Sequence, residues 1–304
     1  MPAADGAPLN GDEPLTPAQR RAYFRYGRRE LGEDRVDGAA VQAVARPQRD
    51  DDRSPFRVYS DSVVAATLEE LAHAPAEIVD IGCGSGLYAR WFQRFAAAYH
   101  GVDAAPSSEW PALIREAQSW RCRVSFHNVA AESLETLALC SDFSLSCSSL
   151  EHMADPTAAI RALAASSAPG AVGVHVVPAP WSLVLYGPHG WRRFPSARLR
   201  SLFVDAGFDV VRLYRLGGVP SLALHFFWIT GLESGRALEF ATGAMIPGLL
   251  AKVLARVRVK SARSAGWLRR TYSALLAAAL KADPYLPWMP VGYAVVVRRR
   301  GAAA

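Results

Sequence analysis

The chain has 304 residues, of which 51% are hydrophobic and 20% are charged. This composition excludes disordered and collagen-like proteins, and the length suffices for one large domain or two small ones. The basic residues are almost all arginine, since the only lysines are Lys252, Lys260 and Lys281. A mechanism that needs a lysine earlier in the chain, such as a phosphate-binding loop lysine, is therefore excluded.

The first 74 residues predict a tail followed by helices. Residues 1–15 are polar and rich in Pro and Gly, which is typical of a mobile tail. Thr16 and Pro17 then form a helix-start signal, so residues 16–74 are predicted to be an N-terminal helical segment with one helix to about Leu31 and another from Ser60 to His73.

Short apolar runs and helical patterns then alternate through residues 75–215. Strands separated by helices of this length imply βαβ units and a doubly wound, mostly parallel sheet, which is an α/β fold. The predicted strands are 77–81, 99–102, 121–126, 143–147, 171–177 and 208–214, and the helices between them include 87–98, 109–119, 156–166 and 196–206.

The C-terminal part predicts a final strand after a long insertion. Residues 291–297 have the pattern of an antiparallel last strand, so 289–304 are predicted to be that strand with a basic tail. Residues 216–288 would then be a helical insertion over the active site. The basic run from Lys252 to Arg263 is typical of a solvated helix face, and contact with an anionic lipid is the less favoured interpretation. No run of about 20 uninterrupted apolar residues occurs.

The cysteines and the N-terminus indicate a reducing location. The four cysteines form no CxxC pair and no Cys/His cluster at zinc or iron–sulfur spacing, so neither a metal site nor a disulfide framework is predicted. No secretory signal is recognisable in the first twenty residues, and the cytoplasm is expected. The modest basic excess does not favour a nucleic-acid partner, and the oligomeric state is unspecified.

A glycine-rich turn follows the first predicted strand of the sheet. Asp80 is followed by Gly82, Gly84 and Gly86, and glycines at such a turn allow backbone N–H groups to approach a ligand closely. Asp103 ends the next strand, where a carboxylate can accept hydrogen bonds from both hydroxyls of a ribose. Leu87 stands where a dinucleotide fingerprint needs a small residue, so NAD and NADP are not expected.

Four segments together carry a resemblance to a known family. They are DIGCGSG at 80–86, GVDA at 101–104, and the stretches 146–178 and 189–211. These segments resemble the class I S-adenosylmethionine-dependent methyltransferases, in particular the broad small-molecule group. The resemblance implies a seven-stranded Rossmann-like sheet with an antiparallel last strand, and S-adenosyl-L-methionine as the cofactor. By position, it implies cofactor-binding roles for Asp80, Gly82, Cys83, Gly84, Gly86, Asp103, Ala104, Ala131, Glu132 and Ser148, with Asp80 at the methionine amino end, Asp103 at the ribose and Ala131 and Glu132 at the adenine.

Candidate catalytic residues follow the strands that end at the reaction edge. Glu151 and His152 resemble the end of the E-x-x-E-H motif of ubiquinone O-methyltransferases, but Ser148 replaces the first Glu, so no metal is expected. A hydrogen-bonded pair that stabilises the loop is the alternative role for Glu151 and His152. His189, between aromatic residues after the fifth strand, is the best-placed general base, with a structural turn histidine as the alternative.

The sequence thus predicts methyl transfer from S-adenosylmethionine to an O or N atom of a small, partly apolar molecule. Two alternatives stay open at this point. One is a methyltransferase that acts on RNA or protein, and the other is a non-catalytic protein that binds S-adenosylmethionine. Steeply salt-dependent binding to nucleic acid would favour the first, and a sealed acceptor cavity would favour the second.

Overall fold

Eight strands form one sheet in the computed structural model, which describes residues 28–34, 42–43, 53–186, 192–233 and 265–301. The strands are β1 (Gln42–Ala43), β2 (Glu77–Ile81), β3 (Ala98–Asp103), β4 (Arg123–Asn128), β5 (Ser141–Cys147), β6 (Ser167–Pro178), β7 (Phe208–Leu216) and β8 (Gly292–Arg299). Their order is β1-β7-β8-β6-β5-β2-β3-β4, and only β8 runs antiparallel to its neighbours. The predicted seven-stranded sheet with an antiparallel last strand is confirmed, and the short β1 adds an eighth strand that the sequence did not predict.

The helices connect these strands in the order expected for a doubly wound fold. They are α1 (Pro55–Glu69), α2 (Ala89–Phe92), α3 (Trp110–Ala117), α4 (Pro156–Ala165), α5 (Leu183–Tyr186), α6 (Ser196–Asp205), α7 (Val219–Leu224) and α8 (Ala265–Ala282). Two 3-10 helices cover Ala131–Leu137 and Pro180–Ser182, a π-helix covers His225–Glu233, and residues 28–33 are helical.

Three predicted boundaries were wrong. The helix predicted over 87–98 is only the four-residue α2. Helix α1 begins at Pro55, because Ser54 caps it by accepting the N–H of Arg57 at 3.2 Å. Strand β6 begins at Ser167, before the expected 171, since the Pro169-Gly170 pair lies in an irregularity of the β5–β6 pairing where Gly170 adopts a φ of 81°.

Alternate residues of the sheet enter two hydrophobic cores, as the pleat of a strand requires. On one face Val295 and Val297 of β8 pack in a cluster with residues of α4 and α6. On the other face Val296 packs in a cluster with residues of α1, including Tyr59 and Val63. Helix α1 therefore shares a core with the sheet.

The 216–288 insertion leaves and re-enters the sheet at one edge. Gly292, the first residue of β8, pairs with Pro178 at the end of β6 and with Leu216 at the end of β7. This edge holds the carboxyl ends of the parallel strands, where ligands bind in open α/β sheets. The insertion therefore starts and ends at the ligand edge.

Several sequence predictions fall outside the described residues. They concern the tail 1–15, the first part of the helix predicted from Pro17, the turn that holds His189 and the helical stretch from Leu249 to Val259. Among the helices that the structure does describe, none has the length and apolar character needed to cross a membrane.

Candidate functional site

The glycine-rich turn after β2 depends on left-handed backbone conformations. Gly82, Gly84 and Gly86 have φ values of 71°, 54° and 77°. The N–H of Gly82 donates to the carbonyl of Val102 at 2.7 Å, and the N–H of Gly86 donates to the carbonyl of Cys83 at 2.9 Å. These bonds fix the turn beside the end of β3.

The glycines of this turn differ in what surrounds them. A Cβ at Gly82 would lie 2.2 Å from the Cβ of Ser149, and one at Gly86 would lie 2.5 Å from the Phe126 ring. A Cβ at Gly84 would meet no atom of the other described residues within 4 Å. Gly82 and Gly86 are therefore required by close packing, whereas Gly84 faces open space where a ligand can approach the backbone.

Asp103 is held against this turn at the end of β3. Its carboxylate accepts the N–H of Gly84 at 2.8 Å and the N–H of Ala105 at 3.0 Å. Two backbone donors orient both oxygens, and the remaining lone pairs can accept hydrogen bonds from ligand hydroxyls. Ala104 is exposed beside it, and its carbonyl accepts Nδ2 of Asn128 at 2.8 Å.

Trp110 braces the same turn and was missed by the sequence analysis. Its Nε1 donates to the carbonyl of Gly84 at 2.8 Å, and its ring stacks on Phe126 with centroids 5.1 Å apart. The sequence signal was weak, because a tryptophan at the start of a helix is normally interpreted as core.

Asp80 is a buried carboxyl group beneath the turn. It is 1% exposed and accepts the hydroxyl of Tyr99 at 2.5 Å. Burial raises the pKa of Asp80 to about 7, although the hydrogen bond from Tyr99 and the charge of Arg57 oppose this rise. Burial likewise raises the pKa of the Cys83 thiol, which makes it a poor nucleophile.

Helix α1 adds a charged cluster to the site that the sequence analysis also missed. Nη1 of Arg57 donates to the hydroxyl of Tyr88 at 2.8 Å and lies 3.3 Å from Sγ of Cys147 at the end of β5. The Tyr88 hydroxyl donates to Asp61 at 2.7 Å, and Arg53 forms an ion pair with the same carboxylate. The available signal was the spacing of Arg57 and Asp61, four residues apart on the buried face of a helix.

The loop after β5 approaches the glycine turn from the other side. Ser148 has a φ of 54°, and its N–H donates to the carbonyl of Val176 at 2.9 Å. The hydroxyl of Ser149 donates to the carbonyl of Ile81 at 2.8 Å. The loop is therefore fixed to both β6 and β2, which brings the residues that follow it to the ligand edge.

Glu151 and His152 follow in this loop with different environments. Glu151 is 5% exposed, and its Oε2 has no hydrogen-bond partner among the described residues. Burial raises the pKa of Glu151 to about 7, while the charge of the fully buried Arg193 acts against this rise. His152 is exposed to solvent. A buried carboxyl group that titrates near neutral pH is typical of an acid or base in a functional site.

The predicted adenine-side residues lie in the 3-10 helix after β4. Ala131 is buried, and the carboxylate of Glu132 accepts the N–H of Asp155 at 3.0 Å. Asp155 in turn caps α4 by accepting the N–H of Thr157 at 2.9 Å. Glu132 thus ties this 3-10 helix to the loop after β5.

Arg192 holds the end of the next loop against the same segment. Its guanidinium donates to the carbonyls of Met153 and Ala154. Two of the loops at the ligand edge are therefore joined. His189 itself precedes Arg192 in the part of the chain left undescribed.

His175 and His225 are both buried. His175, in the middle of β6, is fully buried, and Nδ1 lies 2.8 Å from the Ser146 hydroxyl. Burial lowers the pKa of His175 to about 3, so the ring stays neutral, as is typical of a core histidine. Burial also lowers the pKa of His225 to about 4.

The strand order and the site define a class I methyltransferase fold, with an oriented carboxylate beside a glycine turn that faces open space. The open space above Gly84 and the free lone pairs of Asp103 fit a nucleoside ligand. Comparison with protein families agrees, since residues 56–213 match the family model described as a methyltransferase domain. The chain belongs to this family and is an S-adenosylmethionine-dependent methyltransferase.

Individual relatives are more distant. The ubiquinone biosynthesis O-methyltransferase of Cereibacter sphaeroides is 29% identical over 180 residues, which cover 52% of this chain and 72% of the relative. The same enzyme of Xanthomonas axonopodis pv. citri is 34% identical over 108 residues, or 35% of this chain and 44% of the relative. The solved structure of the [4+2]-cyclase SpnF has a TM-score of 0.54 at 19% identity and covers 95% of this chain and 98% of its own, which shows a shared fold.

Proposed function

We propose that this enzyme transfers a methyl group from S-adenosylmethionine to an oxygen or nitrogen atom of a small, partly apolar molecule. The observation that carries the proposal is the buried carboxyl group of Glu151, whose Oε2 has no hydrogen-bond partner among the described residues. Glu151 comes two residues after Ser149, whose Cβ lies against Gly82. A proton acceptor thus lies at the edge where the glycine turn presents open space. The relatives named ubiquinone biosynthesis O-methyltransferases support an oxygen acceptor.

Opposite ends of the cofactor would meet different residues. Asp103 would accept the ribose hydroxyls, and the turn at Gly82, Gly84 and Gly86 would lie under the methionine end. Asp80 has the charge to attract an ammonium group and Arg57 has the charge to attract a carboxylate. The remaining members of the proposed cofactor site are Cys83, Ala104, Ala131, Glu132 and Ser148.

Proton removal is the chemical task left to the chain. When bound, the cofactor supplies a methyl group already activated for displacement by a sulfonium centre. Glu151 has a pKa of about 7, so about half of these carboxyl groups are ionised at neutral pH. The ionised carboxylate can take the proton that the methylated molecule loses. His152 and His189 are the other candidates for this step, and His189 is best placed by its position in the sequence. Alignment of the acceptor with the methyl group and exclusion of water would supply the rest of the catalysis.

This proposal assigns a role to each part of the chain. Residues 75–215 would be the cofactor-binding core, residues 16–74 an N-terminal helical segment, residues 216–288 a cover over the acceptor and residues 289–304 the last strand with its basic tail. A cytoplasmic location is supported by the four cysteines, each a free thiol. Methylation of RNA or protein is the competing function.

The substitution Asp103→Ala tests the cofactor site. Loss of an oriented carboxylate should weaken S-adenosylhomocysteine binding about tenfold or more, measured by calorimetry, since a charge-assisted hydrogen bond contributes about 1.5–3 kcal/mol. Glu109→Ala is the matched control, because it removes an exposed carboxylate from the same loop. Unchanged affinity of the Asp103 variant would refute the ribose assignment.

The acceptor class needs a separate experiment. Cofactor with a labelled methyl group is incubated with the enzyme and a cell extract, and the product is divided into small molecules and macromolecules. Label in organic-soluble small molecules, absent with the Glu151→Gln variant, is the expected result. Label confined to RNA or protein would establish the competing function.

A further inference from the structure

The most exposed aromatic residues of the described chain all lie in the 216–288 insertion. Phe227 is 70% exposed, Tyr285 is 82% exposed and Trp288 is 64% exposed, and Leu275 and Leu286 are also exposed. We call these five residues the apolar patch. Large exposed apolar patches mark interaction surfaces on soluble domains.

An apolar groove of about 420 Å³ lies next to part of the patch. The groove lies between α7 with the π-helix on one side and α8 on the other, and Phe227 and Leu275 belong to its walls. The carbonyl of Leu286 accepts the N–H of Val219 at 3.0 Å, which places Leu286 at the start of α7, beside the groove residue Pro220.

The scaffold under the patch is firmly anchored. The buried carboxylate of Asp283 accepts the hydroxyl of Tyr59 at 2.6 Å and the N–H of Ser221 at 3.0 Å, which links α8 to α1 and α7. The hydroxyl of Tyr272 donates to the carbonyl of Arg53 at 2.7 Å. The patch therefore faces outward from a fixed support.

The charge of the insertion is strongly positive. Residues 216–288 contain nine Lys and Arg and three Asp and Glu, a net +6 that equals the charge of the whole chain. Arg270 and Lys281 are exposed on α8, and helical spacing places them along one side of the stripe formed by Leu275, Ala278 and Ala282. Asp283, one of the three acidic residues, is buried.

We infer that the apolar patch docks on an anionic lipid bilayer. Aromatic side chains flanked by Arg and Lys are the combination that inserts at the headgroup level of a membrane, and the positive charge is complementary to anionic lipid. The insertion starts and ends at the ligand edge, so docking would bring the acceptor side of the site close to the bilayer. That consequence rests on the proposed function, whereas docking itself does not.

Co-flotation of the full chain with vesicles tests the inference. The vesicles are phosphatidylcholine alone, or phosphatidylcholine with about one third phosphatidylglycerol. The expected result is binding to the anionic vesicles that is about tenfold or more stronger than to the neutral ones and weakens as salt is added. Absence of binding to the anionic vesicles would overturn the inference.

Two double variants separate the apolar and electrostatic contributions. Phe227→Ser with Trp288→Ser, and independently Arg270→Glu with Lys281→Glu, should each reduce vesicle binding about tenfold or more. The matched control is Ile114→Ser with Val211→Ser, which removes two exposed apolar side chains outside the insertion and should bind like the unmodified chain. Unchanged binding by both insertion variants would contradict the inference.

Two further readouts keep the result independent of folding and of the proposed function. Affinity for S-adenosylhomocysteine should be unchanged in the variants, because neither pair contacts the glycine turn or Asp103. If only one of the two double variants keeps that affinity, only the vesicle binding of that variant is used to test the inference. A concentration-dependent dimer that disappears in the Phe227 and Trp288 variant would show that a second copy covers the patch, and would overturn the inference.

Discussion

The cofactor side of the molecule and its acceptor side are built in different ways. On the cofactor side, comprising β2, β3, β4 and their loops, Asp103 contacts Gly84 from only 19 residues away. The acceptor side comprises α1, the loop after β5 and the insertion, and it also supplies Arg57 and Ser148 to the proposed cofactor site. On this side Arg57 meets Cys147 across 90 residues and Tyr59 meets Asp283 across 224.

The difference between local and long-range contacts has a functional consequence. Local contacts allow the cofactor side to be specified by a short motif, which suits a ligand common to a whole family. The acceptor side depends on distant segments that come together only in the folded chain. Those of its residues that do not contact the cofactor turn can therefore change without altering it, as expected when one fold serves many acceptors.

The largest expected effect is on the contact between the two sides at Gly82. Gly82→Val would bring a branched side chain into Ser149 at a φ of 71°, and should lower the free energy of unfolding by about 3 kcal/mol or more. Urea denaturation measures the effect.

A rescue experiment checks the cause. Gly82→Ala should be less destabilising when combined with Ser149→Gly, because the Cβ and Oγ that it would meet are then absent. Equal stability of the single and double variants would show that the two loops do not pack closely at this point.

Gly84→Val separates binding from folding. No atom of the other described residues lies within 4 Å of the added Cβ, so the loss of stability should be limited to the backbone cost of about 1–2 kcal/mol. The side chain would occupy the open space, and affinity for S-adenosylhomocysteine should fall about hundredfold or more, measured by calorimetry. Retained binding would mean that the ligand does not lie over this glycine.

Glu151→Gln tests the acceptor side alone. If Glu151 is the base, kcat should fall about hundredfold while cofactor affinity stays within a factor of about two. In the unmodified enzyme kcat should rise with pH through about 7, as Glu151 ionises, and the variant should lose this rise.

His152→Ala and His189→Ala serve as comparisons for that variant. A fall in kcat of about hundredfold that occurs in His189→Ala and not in Glu151→Gln would assign the role of base to the turn before Arg192. Full activity of Glu151→Gln with the true acceptor would exclude a catalytic role for this carboxylate.

The last expected effect is a pH dependence on the cofactor side. Burial raises the pKa of Asp80 from 3.8 to about 7, so the folded chain holds this proton more tightly than the unfolded chain. Its contribution to the free energy of unfolding is therefore complete below about pH 4 and is lost as the pH rises through about 7. The melting temperature of the unmodified protein minus that of the Asp80→Asn variant should fall as the pH rises from about 4 to about 7. A constant difference would show that Asp80 has an ordinary pKa.

Much of the cofactor side could be predicted from the sequence. The β2 strand and the glycine turn are local, and Asp103 follows at the spacing of one βα unit, so pattern and motif were sufficient. The extent of α2 could not be predicted, because the alanine-rich stretch that ends at residue 97 is as compatible with a continued helix as with the turn that the structure forms there. Trp110 and its bond to Gly84 likewise depend on the packing of α3.

The sequence by itself determined the fold class, because strand periodicity, glycine turns and helix caps act over a few residues, and its resemblance to a known family indicated the cofactor. Only the tertiary structure decided that α1 brings Arg57 and Asp61 to the site, that Glu151 is buried without a partner for Oε2 in the described chain, and that the apolar patch faces outward. The physical reason is that burial and long-range pairing depend on how distant segments pack, and a pKa or an exposed surface exists only once that packing is formed.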